Sequence, residues 1–221
     1  MIRRWSQWRA ERFFRALVEG LSEGAISEQD ALERIERALE DEGKSQALFD
    51  SYRRVCLSAS RDTGPKLIGL LTARILSEGR ATASEVEEKL FMAAERLSDN
   101  ELKALLDFLR EAAMQNDGQI TGAGRVFVKS HSEQDDSKCP GAKIDISPLD
   151  LGDSYGSWAL KAASAGILSQ QMIRERRNYN EDSERYVDMD GVVTDFSWFV
   201  AFDAVLLDYI ELIALSAQEM T

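Results

Sequence analysis

The chain has 221 residues, of which 44% are hydrophobic and 30% charged, with a formal net charge of -12. That length buries a substantial core without metal or disulfide staples, and the composition excludes disordered and membrane-spanning classes. The acidic balance opposes broad attraction to nucleic acid or to an anionic membrane, because phosphate binding draws on clustered Lys and Arg.

The first element is an amphipathic helix over residues 2–21, where Ile2, Trp5, Trp8, Phe13, Phe14, Leu17 and Leu21 recur near helical spacing among five arginines. A second helix starts at Ser27-Glu28-Gln29-Asp30, with the serine oxygen as cap. Leu32, Ile35, Ala38 and Leu39 are expected on its inner face, and Gly43 is expected to end it. A third helix carries Leu48, Phe49, Tyr52, Val55 and Cys56. A fourth begins at Pro65 and closes at Gly79. Ser84-Glu85-Val86-Glu87 and Ser98-Asp99-Asn100-Glu101 are capping boxes that each open another helix, the second running through Leu102, Leu105, Leu106 and Leu109.

Beyond Asn116-Asp117-Gly118 the composition shifts to Gly, Ser and Asp. This divides the chain into a helical bundle (1–117), an irregular connector (118–152) with short β pieces at 125–129 and 143–147, and a C-terminal segment (153–221). The last segment reads as a helix at 157–165, an extended piece at 167–173, a polar tip at 174–185, a returning strand at 186–194 and a buried closing helix at 196–215. Helix, strand, polar loop, strand and helix in this order resemble the winged-helix arrangement over residues 98–216. The resemblance implies a strand pair forming a wing beside a recognition helix. In that helix Lys161 is the one cation. The expected fold class is mainly α, with an N-terminal helical bundle followed by an α+β winged-helix-like half.

Four motifs bear on chemistry. Asp188-Met189-Asp190-Gly191-Val192-Val193-Thr194 resembles the nucleophile motif of haloacid-dehalogenase-like phosphatases, which would make Asp188 the nucleophile, Asp190 the general acid and magnesium the charge clamp. That family places a long α/β domain after the motif, whereas 27 residues follow Thr194 here, so Asp190-Gly191 reads instead as hairpin-turn chemistry. The glycines of residues 118–124 lack the Gly-Lys-Ser/Thr of a phosphate loop and read as a connector. His131 is the single histidine, which removes multi-histidine metal sites, and it reads as an exposed loop residue. Cys56 and Cys139 are far apart, Cys56 is expected to be buried in its helix, and both are expected reduced in the cytoplasm.

No apolar run reaches the roughly 20 residues a bilayer span needs, since residues 196–215 are interrupted by Asp203, Asp208 and Glu211. Residues 1–21 alternate charge with aromatics and do not read as a cleaved signal. No catalytic residue, cofactor or metal is expected. The chain reads as a non-enzymatic cytoplasmic interaction or regulatory protein, such as a component of a bacterial defence or toxin-neutralising system. Its partner would be another protein or a second copy of itself. Partner-binding candidates are Trp5, Trp8, Arg9 and Arg12 on the first helix, and Arg174, Arg176 and Arg177 on the polar tip. The alternatives are a winged-helix DNA-binding transcriptional regulator using that arginine cluster and the magnesium-dependent phosphohydrolase.

Overall fold

The computed structural model describes residues 2–22, 27–115, 124–135, 149–178 and 192–218. It is mainly helical, with a small antiparallel sheet in the C-terminal half. Helix α1 (Ile2–Ser22) buries Phe13, Ala16, Leu17 and Leu21. It lies along α4 (Thr63–Ser77), whose side chains from Thr63 to Ala73 are all buried. Glycines allow the two backbones to meet: a Cβ on Gly69 would sit 2.5 Å from the Phe13 carbonyl oxygen.

Next in the chain after α1, α2 (Glu28–Glu40) starts as expected. Ser27 accepts from the Asp30 amide while the Asp30 carboxylate accepts from the Ser27 amide. Its inward residues are Ala31 and Ala38, with Ile35 partly buried, whereas Leu32 and Leu39 are exposed. Gly43 does not end this helix. Asp41, in extended conformation, both terminates α2 and caps α3 (Glu42–Leu57) by accepting from the Lys44 amide at 3.0 Å, which places Gly43 inside α3. The inward face of α3 is Leu48, Ser51 and Val55. Cys56, one step past Val55, is therefore rotated outward, and it is exposed rather than buried.

Helix α4 begins two residues before Pro65, and its own N-cap residue, Asp62, makes no capping bond. The cap comes from α6 (Asp99–Gln115). The Asp99 carboxylate accepts from the amides of Arg61 (3.1 Å), Asp62 (3.1 Å) and Thr63 (2.7 Å), and from the Ser60 hydroxyl. Burial pushes this carboxyl up, but the hydrogen bonds outweigh it and hold the pKa at about 2. Gly79, at φ 71°, closes α4, with its amide on the Leu76 carbonyl. Further along α4, Lys66 is buried and its Nζ donates to the Gln218 carbonyl at 2.6 Å, tying this helix to the C-terminal end.

Helix α5 (Glu85–Arg96) carries the expected capping box between Ser84 and Glu87. Glu87 is fully buried, accepts two bonds from Arg80 at 2.7 and 2.8 Å, and also accepts from the Tyr209 hydroxyl at 3.2 Å. Burial raises its pKa, and the Arg80 and Ser84 bonds more than reverse this to about 2.

Strand β1 (Arg125–Asp135) is followed by two short helices, α7 (Leu151–Tyr155) and α8 (Ser157–Ser164), and by β2 (Ser169–Asn178) and β3 (Val192–Asp203). The sheet order is β1-β3-β2, antiparallel throughout. Residues 196–215 are not one helix. Phe196, Trp198, Val200 and Phe202 are all buried at alternate positions of β3, the period of a strand. Asp203 then caps a 3-10 helix (Ala204–Tyr209) through the Val205 amide, and α9 (Ile210–Ala217) follows. The apolar run thus joins a strand and a short helix, each with its own period.

The polar tip is likewise corrected at its start, because Arg174 to Asn178 continue β2 in register with β3, Arg176 opposite Thr194 and Arg177 opposite Val193. His131 is not on a loop. It follows an irregularity in β1 and stacks on Trp198, centroids 4.5 Å apart and planes within 7°. The expected strand at 143–147, Cys139, and the Asp188 and Asp190 motif lie outside the described residues. One core runs through the described chain, including Phe13 and Leu17 of α1, Val126 of β1, Leu151 of α7, and Ile213 of α9. No described helix is long and apolar enough to cross a membrane.

Candidate functional site

From α6 to β3 the elements follow the order helix, strand, helix, helix, strand, strand, with the last strand between the other two. The helix pair turns at Gly156, whose φ of 95° L side chains rarely adopt. It is seated on an aromatic cluster in which Phe108 of α6 meets Tyr155, Trp158 and Phe202 at centroid distances of 5.7, 5.6 and 6.0 Å.

Ala159 and Ala162 are the buried side of α8, so Ser157, Leu160 and Ser164 are turned outward. Leu160 is 50% exposed. The helix is pinned by polar contacts at both ends. Lys161 Nζ donates to Glu101 at 2.8 Å and Ser157 Oγ to the same carboxylate at 3.0 Å. Arg96 donates to the carbonyl and hydroxyl of Ser164 at 2.9 and 3.0 Å. Burial raises the Glu101 pKa, while Lys161, Ser98 and Ser157 bring it down to about 2, so the carboxylate stays charged across the physiological range. The single cation of α8 is thus paired within the fold.

On α1, Trp8 Nε1 donates to Asp62 at 2.8 Å and Arg12 Nε to the same oxygen at 3.1 Å, with the Arg12 guanidinium 4.4 Å from the Trp8 ring centroid. Arg9 donates to the Cys56 carbonyl at 3.3 Å. Trp8, Arg9 and Arg12 are therefore brought together, but in contacts that tie α1 to α3 and to the start of α4. The Trp5 side chain lies outside the described residues. Arg174 is exposed on β2, its guanidinium 5.6 Å from the Phe196 ring, far along the chain from the α1 group. The side chains of Arg176 and Arg177 lie outside the described set.

Among the described residues no group of three or more His, Cys, Asp or Glu side chains could hold a metal ion. Sequence reasoning overlooked Leu160, whose signal is its position opposite two alanines in a helix of eight residues. It also overlooked Asp99, which acts only through α4. No family model, curated protein or solved structure matches this chain.

Proposed function

We propose that this chain is a non-enzymatic, cytoplasmic interaction or regulatory protein with a winged-helix-like C-terminal half that presents α8 to another protein rather than to DNA. The observation carrying this reading is the state of α8. Its one cation, Lys161, is held by Glu101 at 2.8 Å, while its outward side chains are Ser157, Leu160 and Ser164. A helix that enters a DNA groove gains affinity from cations on phosphates and polar side chains on base edges. An apolar leucine between serines suits a protein surface better. The element order and the β1-β3-β2 sheet support the winged-helix likeness, and the net charge of -12 supports a protein partner.

The test is a mobility-shift titration of the full chain against duplex DNA at low salt, on the order of 50 mM. The expected result is no retardation. Retardation that weakens with Arg174→Ala, Arg176→Ala and Arg177→Ala would replace this reading with the DNA-binding one.

A further inference from the structure

Leu32 is 49% exposed and Leu39 56%. They lie seven positions apart on α2, two helical turns, and so form one stripe. Ala31, Ala38 and Ile35 already hold α2 on the bundle, so these leucines are spare apolar surface. Their surroundings are acidic: residues 28–42 contain seven carboxylates and two arginines. Asp30 and Asp41 are used as helix caps, whereas Glu33, Glu36 and Glu40 are exposed. Arg37 Nε turns back to the Glu33 carbonyl at 3.2 Å.

Charge selects the occupant of this stripe. Two copies of α2 packed about a two-fold axis would set carboxylates against carboxylates. Among the described side chains of α1, Arg9, Arg12 and Arg15 are engaged on the Cys56 carbonyl, Asp62 and Glu11 of their own chain, which leaves them poorly placed to serve a second copy. Nucleic acid and anionic lipid are repelled by the same carboxylates. A helix with apolar residues on one face and Lys or Arg flanking them satisfies both the leucines and the carboxylates.

We propose that the Leu32 and Leu39 stripe of α2 is a docking seat for a basic amphipathic helix of another protein. The proposal rests on the reading of this chain as a protein-interaction module and assigns that module a second surface, distinct from α8.

The probe is a fluorescein-labelled, 18-residue synthetic helix of leucine and lysine, titrated by anisotropy against the full chain, beside a copy with glutamate in place of lysine. Binding of the lysine helix should weaken about tenfold in Leu32→Ser/Leu39→Ser, the loss expected when two half-exposed leucines no longer become covered. It should weaken with added salt and in Glu33→Gln/Glu36→Gln/Glu40→Gln. It should stay within about twofold of the parent in Val205→Ser/Leu215→Ser, which removes exposed leucine and valine beside Asp208 and Glu211. Circular dichroism confirms that each variant is folded, which these exposed positions permit. No binding of the lysine helix, equal binding of the glutamate helix, unchanged affinity in the leucine variant, or equal loss in the Val205 and Leu215 variant would each overturn the seat. Failure of the lysine helix to bind while a protein partner is still recovered with the full chain would overturn the seat and leave the interaction reading standing.

Discussion

Asp99→Asn is the perturbation whose cost can be worked most closely from the structure. The Asp99 carboxylate replaces the missing cap of α4, accepting from three backbone amides and the Ser60 hydroxyl. Asparagine keeps the shape but removes the charge and turns an amino group toward donors. The folded carboxyl titrates at about 2 against an ordinary 3.8, and at ~1.4 kcal/mol per unit this difference is about 2 kcal/mol. Because the folded pKa is lowered, that stability is fully present above pH ~4 and is lost as pH falls toward ~2. Urea unfolding at pH 7 should show Asp99→Asn less stable by about 2 kcal/mol, and the gap between variant and parent should narrow steadily in the acid range. A gap below about 0.5 kcal/mol at pH 7, or one of equal size at pH 7 and pH 3, would refute the assignment of Asp99 as the cap of α4.

Three further outcomes follow from the same geometry. Gly69→Leu drives a side chain into the α1 backbone, where even a Cβ would meet the Phe13 carbonyl oxygen at 2.5 Å; a loss of about 3 kcal/mol or more is expected in thermal or urea unfolding, despite leucine's better helix propensity. Glu87→Gln weakens the pair with Arg80 and the acceptor for Tyr209, both centred on a fully buried carboxylate; denaturation at pH 7 should show about 3 kcal/mol of destabilisation. Leu160→Glu, at a half-exposed position, should leave the unfolding midpoint within about 0.5 kcal/mol of the parent yet remove binding to the partner of α8, as read by co-purification.

Some features decided within one turn of chain were legible in the sequence, although Asp41, whose cap on the Lys44 amide is equally local, was passed over in favour of Gly43. Ser27 and Ser84 open their helices through bonds to residues three positions on, and Gly79 closes α4 through its own backbone. Where the decision is made across the fold, local reading fell short. Ser98 and Glu101 form a contact visible as a motif, but Asp99 between them caps a helix 36 residues earlier, which no local pattern encodes. Residues 196–215 are apolar on both faces when read as a helix; only pairing with β1 and β2 selects the two-residue period of β3. His131 became part of the sheet for the same reason, its position settled by Trp198 opposite. The candidate site was legible in part. Lys161 was visible as the lone cation of its helix, while its capture by Glu101, 60 residues away, belongs to tertiary structure.

The most direct test of the central claim is recovery of the tagged full chain from its native cells at low salt, with the eluate read by mass spectrometry and by the ratio of absorbance at 260 and 280 nm, in parallel for the parent and Leu160→Glu. The account predicts a stoichiometric protein partner with the parent, its loss from Leu160→Glu, and an absorbance ratio free of nucleic acid. Nucleic acid without a protein partner, or a partner retained equally by Leu160→Glu and still retained when Leu32→Ser/Leu39→Ser is added, would contradict it.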